Sequence, residues 1–466
     1  MTFRNAAINT PTTARTENGM KAQISTLRNT VDLFYKFGAS RGRDITQEFE
    51  KAYREDRDIA LRLMQWGRDV RGGAGERGLF RQLLLFLEKN YTTELIETRI
   101  LDNVPVIGRW DDLLIFTNPE IKNKAYGLIR DALAKGDGLC AKWMPRKGST
   151  AVDLRNWLSW TPKFYRKRLV ELTNVVETQM CAKDWNNINF SGVPSVAMSR
   201  YGKAFAKNSE TYKTYLDLLG EDDDSVKVNA GAVYPYDVVK SLSAGNDVLA
   251  DAQWEALPNF VGDSKILPMV DVSGSMYTRA GDGALSLSCA EVALSLGLYC
   301  SSKNTGDFKD VFLTFSNRPE LVTVTGTLSQ KLRQMEGSEW GMNTDLHAAF
   351  ERILEVAVAN TVPQEDMPKA VLILSDMQFD HCTKYDDSAI EMVRRKYEEA
   401  GYNVPGVVFW NLNSHSNVPV SYDSNGTALI SGFSPSILKA VLSADFDSMT
   451  PESIMLKTLD DTRYAL

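Results

Sequence analysis

Apolar residues recur three and four positions apart through the first 207 residues and then, after Lys265, give way to short unbroken apolar runs. The first pattern is that of amphipathic helices, and the second that of strands buried on both faces. Over residues 45–66, Phe49, Tyr53, Ile59, Leu63 and Trp66 fall at helical spacing with charges between them, which predicts one long helix. Residues 78–89 predict a shorter one, entered through the turn Gly72-Gly73-Ala74-Gly75, and 118–135 and 162–182 repeat the theme. No alternating β-branched run interrupts the series from 22 to 207. Successive helices joined by short turns imply an α-helical repeat module of the HEAT-like or solenoid kind, with no fixed-period repeat visible.

The acidic stretch 220–225 (GEDDDS) marks a candidate boundary, and a mixed connecting segment runs to 264. Beyond it the apolar runs 266–270 (ILPMV), 311–315 (VFLTF), 370–374 (AVLIL) and 404–410 (VPGVVFW) predict strands, with residues 427–430 extending the series. Between them lie predicted helices at 284–300, 344–358 and 389–400, the first so rich in small residues that it must pack closely against something. Strands alternating with helices imply a parallel sheet covered on both faces, a doubly wound α/β domain. The expected division is a helical module over 1–220, a connector over 221–264 and an α/β domain over 265–466.

Charge sharpens this division. The net charge of −7 conceals 35 Lys and Arg against 25 Asp and Glu in residues 1–220, and 18 against 35 in the remainder. The first part is suited to a polyanion and the second repels one. Hydrophobic residues at 43% and charged residues at 24% are ordinary for a globular protein, and no run reaches the roughly 20 apolar residues that cross a bilayer. Residues 1–29 are polar and lack the apolar stretch of a secretory signal. The five cysteines stand at no C-x-x-C spacing, which argues against a disulfide framework or zinc site and for a cytoplasmic location.

Three features fall at the carboxyl ends of the predicted strands: Asp271-Val272-Ser273-Gly274-Ser275, Thr344 at a helix start, and Asp376 two residues past AVLIL. Two carboxylates and three hydroxyls are hard oxygen donors, suited to magnesium, manganese or calcium. A doubly wound sheet brings such loops to one edge. A lone D-x-S-x-S element is an ordinary polar turn with a helix-capping serine. Here it follows an apolar strand and has Thr and Asp partners in order after a later helix and strand. The constellation resembles the metal-ion-dependent adhesion site of von Willebrand factor A (vWA) domains, over roughly residues 265–442. That resemblance implies that Ser273, Ser275 and Thr344 touch the ion and that Asp271 and Asp376 act mainly through bound water. The turn Gly341-Met342-Asn343-Thr344 departs from the family's Gly-Gly-Thr-like form, and Asp345 and Asp380 are further acids nearby.

The helical part carries three basic stretches: Arg68 to Arg77 (RDVRGGAGER), the motif IGRWDDLL around Arg109, and Lys142, Arg146 and Lys147 followed by Arg166, Lys167 and Arg168. Lysine and arginine neutralise phosphates, and Trp143, Trp157 and Trp160 offer stacking faces or, more ordinarily, core. Arg71, Arg77 and Arg109 have acids beside them and suit internal ion pairs better than RNA, whereas the 142–168 group has fewer. A helical array with these motifs before a vWA-like domain resembles the TROVE–vWA family, the Ro autoantigen-like RNA-binding proteins with viral and bacterial relatives. In that group the helical repeats close into a ring, and the resemblance implies binding of small structured or misfolded RNA in a ribonucleoprotein. His347, His381 and His415 form no metal-protease or catalytic spacing, and no nucleophile elbow or phosphate loop is present. The expectation is therefore an RNA-binding scaffold rather than an enzyme. Its rivals are a metal-dependent protein-interaction module that takes an acidic protein ligand without RNA, and a magnesium-dependent RNA-processing enzyme.

Overall fold

The computed structural model of the chain describes residues 13–16, 18–221, 223–242, 247–280, 287–316, 318–338, 340, 344–379, 389–413 and 418–466. An antiparallel hairpin of β1 (Thr13–Arg15) and β2 (Lys21–Gln23) comes first. The main sheet follows from β3 (Ile266–Val270), β4 (Val311–Thr314), β5 (Leu321–Thr323), β6 (Ala370–Ser375), β7 (Gly406–Asn411) and β8 (Thr427–Ser431). Its order is β5-β4-β3-β6-β7-β8, parallel throughout except for β5 at one edge. The architecture is thus helices followed by an α/β sheet.

The chain divides into two compact units. One takes the described residues of 1–63, 234–244 and 258–460, and the other those of 64–233, 245–257 and 461–466. These units do not follow the consecutive stretches 1–220, 221–264 and 265–466.

In the α/β unit, β3, β6, β7 and β8 are buried along their whole length, because helices cover both faces. Leu267, Met269, Val371, Ile373, Phe409 and Leu429 share one face with residues of the helices Leu346–Asn360 and Ala389–Glu399. The small-residue helix Cys289–Ser302 lies on β3, and Gly297 shows why it must be small there. A Cβ at Gly297 would stand 2.4 Å from Val270 Cγ2, so only glycine lets helix and strand approach this closely. The chain leaves β3 toward β4, then returns to lay β6 on the other side of β3. The crevice at that reversal, beyond the carboxyl ends of β3 and β6, is where α/β sheets hold ligands.

Helix Asn29–Phe37 also belongs to this unit, packed on β8. The Gly38 N–H donates to Ser431 Oγ at 3.0 Å, and a Cβ on Gly38 would meet the Ser431 carbonyl at 2.5 Å. Hydrophobic spacing alone gave this helix no partner, since an apolar face looks the same whether it covers a helix or a sheet.

The helices differ from expectation mainly at their breaks. The span 45–66 forms two helices, Thr46–Glu55 and Arg57–Arg68, because Asp56 is extended and its Oδ1 accepts from the Ile59 N–H at 3.0 Å, restarting the helix. Likewise 162–182 splits into Pro162–Leu172 and Val176–Cys181. Pro119–Lys135 keeps its predicted extent, with Asn118 capping its start and Gly136 in left-handed conformation (φ 84°) ending it. In the helical unit, Phe190, Phe205, Tyr212 and Tyr215 form an aromatic core. Among the described residues no helix is long and apolar enough to cross a membrane.

Candidate metal centre

At the reversal between β3 and β6, three loops are tied to one another by hydrogen bonds. Register places Val270 opposite Leu374, and the Asp271 N–H donates to the Leu374 carbonyl at 3.0 Å, so Asp271 and Asp376 leave neighbouring strands at nearly the same level. Ser375 Oγ donates to Asp271 Oδ2 at 2.6 Å, joining the first loop to the third. Thr344 Oγ1 donates to the Gln378 carbonyl at 2.9 Å, joining the second to the third. Ser273 Oγ lies 3.3 Å from Ser275 Oγ. Asp271, Thr344 and Asp376 are fully buried, Ser273 nearly so, and Ser275 half-exposed. The structure thus ties together the three loops that carry these five oxygen-bearing side chains, the first and third of them more than 100 residues apart.

The backbone here is tightly constrained. Asp271 Oδ1 accepts from the Ser273 N–H at 2.8 Å, an Asx turn that folds the two serines back over the strand end. Met377, buried between Asp376 and Gln378, adopts φ 67°, a left-handed conformation that side chains other than glycine seldom take. Its N–H donates to Ser375 Oγ at 3.0 Å and the Gln378 N–H to Asp376 Oδ1 at 3.3 Å, which hold the turn. Such strain persists where the surroundings over-determine it, and it concentrates at functional sites.

Electrostatically the site is an acid pair in the dark. Burial, and then the neighbouring Asp376 charge, push the Asp271 carboxyl up to about 7, against the pull of its hydrogen bonds from Ser375 and Ser273. Burial and Asp376 also push the Cys289 thiol up to about 12, so it stays protonated and contributes no thiolate. The donor set is therefore oxygen only, which fits a hard divalent cation. Among the described residues no group of three or more His, Cys, Asp or Glu offers another arrangement.

The neighbouring candidates resolve into structural roles. Asp345 caps the helix Leu346–Asn360 by accepting from the Ala348 N–H at 3.0 Å. His347 turns toward Glu351, with 3.3 Å between Nε2 and Oε1, and burial lowers its pKa. Gly341, Met342, Asn343, Asp380, His381, Cys382 and His415 lie outside the described residues. The other four cysteines are free thiols. Ser375 and Gln378 were missed by sequence reasoning; the polar Ser375 closing an apolar strand just before Asp376 was the available signal.

In the helical unit the acids and arginines of the two motifs find each other. Asp112, fully buried, accepts from Arg68 Nε at 2.9 Å, Arg81 Nε at 2.6 Å, Arg77 Nε at 3.3 Å and the Arg109 N–H at 3.0 Å. Asp111 takes Arg77 Nη2 at 2.7 Å and Arg109 Nη2 at 2.6 Å. Burial opposes the Asp112 charge, but Arg68, Arg81 and the Arg109 amide outweigh it and hold the carboxyl below its usual range. The Gly-rich turn is equally architectural, since a Cβ on Gly73 would sit 1.8 Å from the Trp66 carbonyl. Arg77 and Arg109 are thereby engaged, while the Arg71 side chain is exposed.

The second basic group lies on helices between 119 and 172. Residues 121–170 carry 12 Lys and Arg against 3 Asp and Glu. Lys147, Arg166 and Lys167 are exposed. Lys142 pairs with Glu177 at 3.3 Å, Arg146 donates to Thr173 Oγ1 at 2.9 Å, and Arg168 reaches the Leu133 carbonyl at 3.1 Å. Trp143, Trp157 and Trp160 are half-buried rather than core: Arg109 stacks 3.7 Å above Trp143, Trp157 packs edge-on to Tyr126, and Trp160 to the exposed Phe164.

Residues 265–463 match a family described as a domain of unknown function (DUF7788), and residues 16–109 and 147–264 match a second, DUF2828. An uncharacterised protein of Acanthamoeba polyphaga mimivirus is 28% identical over 96% of this chain and 87% of its own length. The crystal structure of the Deinococcus radiodurans Ro (RSR) protein aligns with a TM-score of 0.39 and 12% identity, covering 89% of this chain and 92% of that one.

Proposed function

We propose that this protein is a non-catalytic, cation-dependent binding scaffold. Its α/β unit holds one divalent cation, Mg2+ in preference to Mn2+ or Ca2+, among Asp271, Ser273, Ser275, Thr344 and Asp376. Its helical unit binds RNA through Lys147, Arg166 and Lys167, with Lys142, Arg146 and Arg168 beside them. The observation that carries the cation is the hydrogen-bonded meeting of the three loops around the buried Asp271, whose carboxyl is raised by burial first and by Asp376 second. A divalent ion would supply a compensating charge, and three hydroxyls stand ready as neutral donors. Few direct carboxylates would leave that ion electron-poor, able to take an external carboxylate or phosphate oxygen. For RNA, the support is the net positive stretch over 121–170, in which Lys147, Arg166 and Lys167 are exposed.

Calorimetric titration of the full chain with Mg2+, with and without prior EDTA, tests the cation; one site per chain that disappears in Asp271→Ala is expected. Fluorescence anisotropy with a structured RNA at increasing salt tests the nucleic acid. Affinity that falls steeply with salt supports RNA binding, and affinity indifferent to salt, or none, removes it. In the latter event, pull-down of an acidic protein that depends on the cation would favour the protein-interaction reading.

A further inference from the structure

We infer that the N-terminal hairpin is a working part of the cation site, with Thr16 and Asn18 as positioning residues that act on Thr344 through the backbone of residues 376–379. The inference rests on the reading of the cluster as a cation site, and it adds what controls that site.

The contacts are specific. Asn18 Nδ2 donates to the Gln378 carbonyl at 2.8 Å, the same oxygen that accepts from Thr344 Oγ1 at 2.9 Å. Thr16 Oγ1 donates to the next carbonyl, Phe379, at 2.5 Å, and is itself oriented by accepting from the Met20 N–H at 2.9 Å. Gly19, at φ 93°, makes the tight turn that presents both side chains together. Met20 is buried in the same apolar cluster as Met377 and Phe379. Two successive carbonyls of the strained loop are therefore held from outside the sheet by a segment more than 350 residues earlier in the chain.

The consequence follows from how a hydroxyl binds an ion. Thr344 can offer a lone pair to a cation only while its proton points elsewhere, and the Gln378 carbonyl is where it points. Asn18 fixes the position of that carbonyl, and Thr16 fixes its neighbour. Tyr35, on the helix that follows the hairpin, is wholly buried in the same apolar cluster as Met20, Met377 and Phe379, so the N-terminal segment is packed against this loop as well as hydrogen-bonded to it. Removing the hairpin contacts leaves a left-handed Met377 turn with fewer restraints and the Gln378 carbonyl that orients Thr344 less firmly placed. Because coupling is reciprocal, a cation that needs this arrangement must also hold the hairpin down.

The substitutions Thr16→Val and Asn18→Ala leave intact the separate tether of the N-terminal segment, where the Gln23 and Val418 backbones exchange hydrogen bonds at 2.9 Å. Mn2+ titration of the full chain is expected to show each variant binding about threefold to tenfold more weakly than wild type, the effect of one lost hydrogen bond. Thr16→Ser, which keeps the hydroxyl, should restore wild-type affinity. In wild type, hydrogen exchange at the Met20 and Gln23 amides should slow on saturation with Mn2+, and should not respond to Mn2+ in Asp271→Ala. Wild type that binds Mn2+ while both variants bind equally well, with hairpin exchange unchanged, overturns the inference and leaves the cation site standing. Wild type that binds no Mn2+ removes both.

Discussion

Each unit of this protein holds a pair of aspartates with at least one carboxylate fully buried, and the two pairs are handled in opposite ways. Asp111 and Asp112 are surrounded by Arg68, Arg77, Arg81 and Arg109, and the buried Asp112 is held ionised below the usual carboxylate range. Asp271 and Asp376 have hydroxyls and amides about them, and Asp271 is pushed up to about 7. The first pair is complete as the chain folds and serves the fold. In the second, burial and Asp376 together raise the Asp271 carboxyl, a setting that suits the proposed cation.

The contrast breaks most visibly if the neutralised pair is cut. Asp112→Ala strands Arg68, Arg77 and Arg81 around a partly buried void, and should destabilise the helical unit by about 3–5 kcal/mol in chemical denaturation. A change below 1 kcal/mol would mean that the network is ornamental. The second pair should respond with the opposite sign. Asp271→Asn removes a buried like charge, so the cation-free protein should gain on the order of 1–3 kcal/mol at pH 8 while cation binding weakens at least about 100-fold.

The same difference appears with pH. Asp112, with a lowered pKa, contributes stability that is present above the ordinary carboxylate range and lost as pH falls through its folded value. Asp271, with a raised pKa, does the reverse: the cation-free α/β unit is favoured below the ordinary range and loses that advantage as pH rises to about 7. Hydrogen exchange resolved to each unit at pH 5.5 and pH 8 should show protection of the cation-free α/β unit falling between them, and Mg2+ restoring it at pH 8. Equal protection at both values, with Asp271→Asn making no difference, would contradict the assignment.

Smaller effects refine the picture. Gly297→Ala forces a Cβ against Val270, the residue before Asp271, and should cost about 1–3 kcal/mol together with a loss of cation affinity. Lys147→Ala, Arg166→Ala and Lys167→Ala should each change stability by less than about 0.5 kcal/mol, yet each should reduce the salt slope of RNA binding by about 1. Unchanged slopes in all three would move any RNA contact off this group.

What could be read from residues and what could not divide along physical lines. The strands 266–270 and 370–374 were legible because burial on both faces demands an unbroken apolar run, and the polar residues that end such runs stand out. Asp271, Ser273, Ser275, Thr344 and Asp376 were legible for the same reason, since topology places strand ends together whatever the sequence distance. The destination of the N-terminal helix was not legible: Val31, Leu33 and Phe34 specify an apolar face but not what covers it. Nor was the hairpin, whose strands are three residues each and whose contacts to Gln378 and Phe379 run through backbone carbonyls that no side-chain pattern encodes. The helix break at Asp56 turns on one side-chain hydrogen bond, too local for hydrophobic periodicity to register.

The most direct test of the central claim is anomalous diffraction from crystals grown or soaked in millimolar Mn2+. The account predicts one strong peak per chain, at about 2–2.2 Å from oxygens of Ser273, Ser275 and Thr344, and its absence in Asp271→Asn crystals prepared alike. Wild-type crystals with no peak at that crevice would contradict it.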